Sequence, residues 1–145
     1  MTSLIDEAAR CWGLTPAAPV PDLSYNYVAP ARRADGTDVV LKIGVPNPEL
    51  TSEINALRLY DGRGAVRLLE SDRALGMCLL ERLRPGEMLT TLDDDDLRTR
   101  IAADVMLCLW RPAPEGQAFL RLSDWFNELK NLHPRFGGTT GPLPR

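Results

Sequence analysis

Lys42 and Glu53 are the two side chains of this sequence whose types and placement best suit them to act together. The chain has two lysines against fifteen arginines, and one of the two, Lys42, stands inside the apolar run Val39-Val40-Leu41-Lys42-Ile43. A flexible ammonium on a β-strand, shielded by apolar neighbours, is a compact point charge for phosphate, where a planar guanidinium would present a fork of different geometry. The alternative is a solvent-facing strand lysine without a role, since lysine is mostly exposed.

The next element bears on that choice. Pro46-Asn47-Pro48-Glu49 has the form of a helix start, with Asn47 as N-cap, Pro48 at the first helical position and Glu49 in the first turn. The helix is expected to run to about Tyr60 and stop at Asp61-Gly62. At roughly 100° per residue, Leu50, Ile54, Leu57 and Tyr60 form one stripe, and Glu53 falls between Leu57 and Tyr60, aimed at the core. An ionised glutamate in that position needs a cation to offset its desolvation, and Lys42 is the nearest preceding cation on a structured element. Otherwise Glu53 lies at the edge of the stripe and reaches water.

Composition narrows the function classes. With 145 residues, 44% of them hydrophobic, the chain can bury one real core, as a single domain or as a lobe and a piece of another. A net charge of −3 with both signs interspersed and no basic block gives no support for nucleic-acid binding. The amino terminus carries Asp6 and Glu7 where a signal peptide would be positive, and no apolar run approaches a membrane span, so no membrane partner and a cytoplasmic location are expected. Cys11, Cys78 and Cys108 are widely spaced, and the last two lie in apolar segments, as reduced core cysteines do. With His133 the sole histidine, no His-based metal site can be assembled.

Around the two charged residues the sequence predicts an α+β fold. Leu4, Ile5, Ala8, Ala9 and Trp12 give a short amphipathic helix over 3–12, ended by Gly13. Prolines between Thr15 and Asp22 force extended chain, and 23–33 favours strand. Ala34-Asp35-Gly36-Thr37 is a hairpin turn into the Lys42 strand. After the Glu53 helix come apolar runs over 65–69 and 75–81, joined by a turn at Ser71-Asp72-Arg73. The expectation is an antiparallel sheet of about five strands crossed by one helix. Beyond the break at Arg84-Pro85-Gly86-Glu87 two helical stripes follow: Leu97, Ile101, Val105 and Cys108, then Leu122, Phe126 and Leu129. These stripes need partners that a small sheet does not offer, so a missing second half or a homodimer through the exposed helices is expected.

Other motifs resolve into structural roles. Asp93-Asp94-Asp95-Asp96, just ahead of the Leu97 stripe, reads as a helix cap in preference to a magnesium cluster. Gly137, Gly138 and Gly141 are followed by no Lys-Ser or Lys-Thr and form no phosphate loop. No Gly-x-Ser-x-Gly is present to support a hydrolase.

What remains is a strand lysine, a helix glutamate and an apolar strand running into a connector, the element order of a protein-kinase-like small lobe. Leu23-Ser24-Tyr25-Asn26-Tyr27-Val28, Val40-Leu41-Lys42-Ile43-Gly44-Val45-Pro46-Asn47, Glu53-Ile54-Asn55-Ala56-Leu57 and Leu79-Leu80-Glu81-Arg82-Leu83-Arg84-Pro85-Gly86 together resemble the aminoglycoside phosphotransferase family, in its streptomycin and hydroxyurea kinase branch. The likeness covers about residues 10 to 135, and the connector is its most specific part. It implies that Lys42 holds the phosphates of ATP and that Glu53 orients Lys42. It further implies that the backbone of Glu81 and Leu83 meets the adenine edge and that Ser24 to Asn26 form a flap over the phosphates. Mg²⁺ would bridge the phosphate oxygens while a hydroxyl of a small-molecule acceptor attacks.

Two departures stand out. The flap has no glycine, so the backbone cannot approach phosphates as a Gly-rich loop does. The family's His-Gly-Asp…Asn loop and later Asp, which supply the base and the metal ligands, have no counterpart in the sequence. The expectation is therefore the amino-terminal part of a kinase, with a nucleotide-binding lobe over 1–83 and a connector plus the start of a truncated helical lobe over 84–145, inactive alone. The rival is a non-catalytic binding domain that keeps the lobe's shape.

Overall fold

Ser3 opens the first helix, α1 (Leu4–Trp12), with a reciprocal capping box in which its hydroxyl accepts from the Asp6 N–H and the Asp6 carboxylate accepts from the Ser3 N–H, both at 3.2 Å. Gly13, at φ 61°, ends the helix in the left-handed conformation. The computed structural model that shows this describes residues 3–21, 25–116 and 118–137.

Directly after Gly13 comes a short strand, β1 (Leu14–Pro16), that the proline-rich composition had suggested only as extended chain. It lies at the sheet edge and pairs with β2 (Tyr27–Arg33), where a proline costs no central ladder bond. The expected turn at 34–37 leads from β2 into β3 (Asp38–Ile43). Asn47 then caps α2 (Pro48–Tyr60), its side chain accepting from the Leu50 N–H at 2.7 Å, and the helix stops at Asp61 in the left-handed conformation.

The next two strands are displaced from their expected positions. β4 (Leu68–Asp72) starts late in the 65–69 run and takes in Ser71 and Asp72, so the turn falls at 73–76 ahead of β5 (Met77–Glu81). Gly76, at φ 71°, supplies the left-handed residue, and Asp72 accepts from the Leu75 N–H at 2.9 Å to close the turn. The five strands are antiparallel in the order β1-β2-β3-β5-β4.

Alternation along the central strands divides the core in two. Val39, Leu41, Ile43, Met77 and Leu79 face α1, which contributes Ala8 with Ile5, Ala9 and Trp12. Cys78 and Leu80, with Val40 beside them, face Leu50, Ile54 and Leu57 of α2. The sheet is thus covered on both faces, and β5 is buried along almost its whole length. This α+β arrangement is that of a kinase-like small lobe.

Two further helices follow. α3 (Asp95–Leu109) is capped by Asp94, whose carboxylate accepts from the Leu97 N–H at 3.0 Å, as the acidic run suggested. α4 (Leu122–Arg135) carries Pro134 in its last turn. The described apolar members of the two stripes are not buried: Leu97, Ile101, Val105, Leu122 and Phe126 are all exposed, and the Leu129 side chain lies outside what the structure describes. Cys108 is exposed as well, contrary to its reading as a core cysteine, whereas Cys78 is buried. The reason is that both faces of the sheet are already taken by α1 and α2. Among the described residues no helix is long and apolar enough to cross a membrane.

Candidate functional site

The period of two along β3 puts Val40 and Lys42 on the face covered by α2, and the cap at Asn47 fixes the rotation of α2 so that Glu53 meets that face. Lys42 Nζ and Glu53 Oε1 form an ion pair and hydrogen bond. The lysine side chain is 17% exposed and the glutamate 36%. Glu53 is therefore at the rim of the apolar stripe and not within the core proper: Leu50, Ile54 and Leu57 fill that space. A mostly covered ammonium whose partner stays open to water can receive an anionic ligand without a full desolvation penalty.

The opening lies beside Glu53. A cleft of about 340 Å³ is lined by Tyr25, Asn26, Val45, Asn47, Glu49, Leu50 and Glu53. Asn26 enters it from the segment between β1 and β2, one residue before the Tyr27–Ile43 pair. A Cβ on Gly44 would lie 2.5 Å from Asn26 Oδ1, so the side chain lodges where only glycine leaves room. Gly44 in turn donates its N–H to the Gly76 carbonyl at 2.9 Å, which joins the backbone beneath Asn26 to the β4–β5 turn. Tyr25 is 94% exposed at the lip. Ser24 lies outside the described residues.

Glu81 and Leu83 sit at the other end of the same sheet. Lys42 is paired with Cys78 and Val39 with Glu81, a separation of three residues or roughly 10 Å along the strand. The Glu81 N–H donates to the Arg67 carbonyl at 3.0 Å and its carboxylate accepts from the Arg67 N–H at 2.7 Å. Leu83, just past β5, is exposed. Arg84 donates to Asp38 Oδ2 at 2.6 Å, tying the connector back to the start of β3 and holding the Asp38 carboxyl below its usual range.

Sequence reasoning missed the apolar floor between these ends. Val28 opposite Lys42, and Pro30 and Leu80 on either side of Val40, share the lysine's face of the sheet. The alternation that placed Lys42 was the signal for them too. It also missed Asn55, a buried polar residue on α2 whose amide donates to the Ala118 carbonyl at 2.8 Å and whose carbonyl oxygen accepts from Arg73 at 2.5 Å. No local pattern marks a bond across 63 residues. Beside Lys42, burial first and the Glu53 charge second push the Cys78 thiol up to about 11. Among the described residues no group of three or more His, Cys, Asp or Glu converges on a metal position.

A sequence profile of aminoglycoside/hydroxyurea antibiotic resistance kinases matches residues 11–140. The chain is 47% identical over 97 residues to the hydroxyurea phosphotransferase of Kitasatospora aureofaciens, covering 67% of this chain and 28% of that protein. It is 35% identical over 117 residues to the streptomycin 6-kinase of Streptomyces glaucescens, covering 80% of this chain and 38% of that protein. With the streptomycin 6-kinase of Streptomyces griseus it shares 38% identity over 112 residues, 74% of this chain and 36% of that one. The matched region thus spans about a third of the length of these relatives. The segments aligned include both partners of the ion pair and the connector, and the chain belongs to the aminoglycoside/hydroxyurea antibiotic resistance kinase family.

Proposed function

We propose that this chain supplies the nucleotide-holding part of an ATP-dependent phosphotransferase that acts on a hydroxyl of an aminoglycoside-type antibiotic or on hydroxyurea. The observation that carries the reading is the Lys42–Glu53 ion pair, whose Glu53 lines the Asn26 cleft. Lys42 would hold the nucleotide phosphates, Glu53 would keep its ammonium aimed, and the 24–26 flap, Ser24 and Asn26 included, would close over them. Adenine would then lie toward Glu81 and Leu83. Because the Glu81 N–H is engaged by Arg67, the nucleotide would meet Glu81 through its carbonyl and Leu83 through its N–H. The roughly 10 Å between the two ends suits a nucleoside with its first phosphates, and the half-buried Val28, Pro30 and Val40 would give the ring an apolar floor.

Residues 1–83 would form this lobe, and 84–145 the connector and the first helices of the acceptor-binding lobe. Mg²⁺ would bridge phosphate oxygens when bound, and the described residues offer it no carboxylate cluster. Phosphoryl transfer depends on positioning and charge neutralisation around a base, and the 145 residues hold no His-Gly-Asp…Asn loop. The chain alone is therefore expected to bind without transferring, and ATP-dependent modification of streptomycin or hydroxyurea by the pure chain would contradict this. The reaction belongs in the cytoplasm, where ATP is supplied. A homodimer through α3 and α4 is read from a light-scattering concentration series.

Calorimetric titration of the chain with MgATP, beside Lys42→Ala, tests the nucleotide reading. Saturable binding lost in the variant supports it. Absence of binding in both overturns it and leaves a non-catalytic domain with a kinase-like shape.

A further inference from the structure

The outer side of α2 carries a connection that the nucleotide reading does not use. Asn55 is 6% exposed although it points away from the Leu50, Ile54 and Leu57 stripe. Its amide donates to the Ala118 carbonyl at 2.8 Å, and one turn earlier Ser52 Oγ accepts from the Leu120 N–H at 3.2 Å. The pair at i and i+3 lies on one face of the helix, so residues 118–120 run across α2 as a strap held at two points. From the other side Arg73, in the β4–β5 turn, donates to Asn55 Oδ1 at 2.5 Å. Asn55 thus joins three segments, α2, the β4–β5 turn and the strap, and a buried amide with both ends engaged is costly to half-satisfy.

The apolar underside of α2 holds the helix to the sheet: Leu50, Ile54 and Leu57 rest on Cys78 and Leu80, with Val40, Ala65, Val66 and Leu68 around them. Apolar packing is non-directional and leaves the rotation of the helix to directional contacts. The same helix must present Glu53 to Lys42, on the far side from the strap. We propose that Asn55 is a positioning residue for the Lys42–Glu53 pair: by fastening residues 118–120 across α2 it seats the helix on the sheet, and the segment after α3 thereby sets the geometry of the phosphate-holding charge. The effect on nucleotide rests on the function proposed above; the seating of α2 does not.

Two variants of the full 145-residue chain separate the parts. Asn55→Asp keeps an acceptor for Arg73 but loses the donor to Ala118, opposing a carboxylate to that carbonyl; Asn55→Ala loses both bonds. Cys78, buried under α2 and paired with Lys42, is the reporter of seating, read by pulsed thiol labelling and peptide mass analysis, with exposed Cys11 and Cys108 as internal controls. In Asn55→Asp the Cys78 labelling rate is expected to rise about tenfold, as one buried hydrogen bond left unmade implies, with the controls unchanged. MgATP affinity should fall several-fold in Asn55→Asp, while the double variant with Glu53→Gln should bind no more weakly than Glu53→Gln alone.

Cys78 labelled at the wild-type rate in both variants overturns the proposal. So does a nucleotide loss that adds fully to that of Glu53→Gln, which would mark Asn55 as merely structural. If the unmodified chain binds no MgATP yet Asn55→Asp speeds Cys78 labelling, the strap stands as the seat of α2 and the nucleotide reading alone falls.

Discussion

Replacing the Lys42–Glu53 pair by apolar residues tests whether its presence reflects chemistry or stability. Glu53→Gln alone leaves an ammonium that is only 17% exposed beside a neutral amide. Exposed pairs contribute up to about 1 kcal/mol and breaking a fully buried one costs about 3–5, so a pair with one covered and one open member should lose about 1–2 kcal/mol. The double variant Lys42→Met/Glu53→Leu removes both charges and returns apolar volume next to Val40, Ile54 and Cys78. It is expected to lie within about 1 kcal/mol of the original chain, or above it, because no desolvated charge remains. Urea denaturation followed by circular dichroism gives both values, with an unchanged slope showing that compactness is unaltered. The same double variant should show no MgATP binding. A double variant more than about 2 kcal/mol below the original chain would refute the reasoning, since the pair would then be a structural necessity and its presence would say nothing about phosphate.

Gly76→Ala would place a Cβ 2.0 Å from the Gly44 carbonyl oxygen at a φ of 71°. Left-handed strain of about 1–2 kcal/mol and loss of the Gly44–Gly76 hydrogen bond, about 1 kcal/mol, should lower stability by about 2–3 kcal/mol; a urea loss under about 1 would contradict this. The Cys78 thiol, ordinarily near 9.0 and here about 11, keeps its proton in the folded chain over a range in which the unfolded chain gives it up. Its contribution to stability is whole below about pH 9 and is lost as pH rises toward about 11, and identical alkaline stability profiles for Cys78→Ala and the original chain would oppose that. Asp94→Ala removes the α3 cap and should cost that helix about 1 kcal/mol, seen as faster amide exchange over 97–99 with the sheet's exchange unmoved.

Most of what positions the site was legible because it is local. The end of the first helix at Gly13, the caps at Asn47 and in the acidic run at Asp94, the stop at Asp61-Gly62 and the 34–37 turn each depend on a few adjacent residues, and all form as read, while Ser3, read as the first helical residue, is instead the cap of α1. The helical wheel placed Glu53 close enough to name Lys42 as its partner but set it too deep, since a wheel carries no information on where the sheet ends. β1 escaped because its residues show no alternation; it is a strand only because β2 offers an edge. The β4 displacement has the same origin, for Ser71 and Asp72 join the ladder through their partners Cys78 and Met77 and not through their own propensity. Asn55 was invisible because its meaning lies in Arg73 and Ala118, and the stripes of α3 and α4 announced helices without saying what they would touch.

The strand order also fixes when the protein can first hold itself together as it is made. β3 lies between β2 and β5, and β5, synthesised last, is inserted between β3 and β4. Until residue 81 has left the ribosome, the β1–β2–β3 sheet presents an open edge whose Val39, Leu41 and Ile43 belong to a core that is still incomplete. A nascent chain paused in the β4–β5 turn therefore displays both an unpaired ladder and half a hydrophobic face, the state in which strands pair with the wrong neighbour. Chaperones that hold this edge and face until residue 81 has emerged are therefore expected to raise the share of chains that reach the folded state.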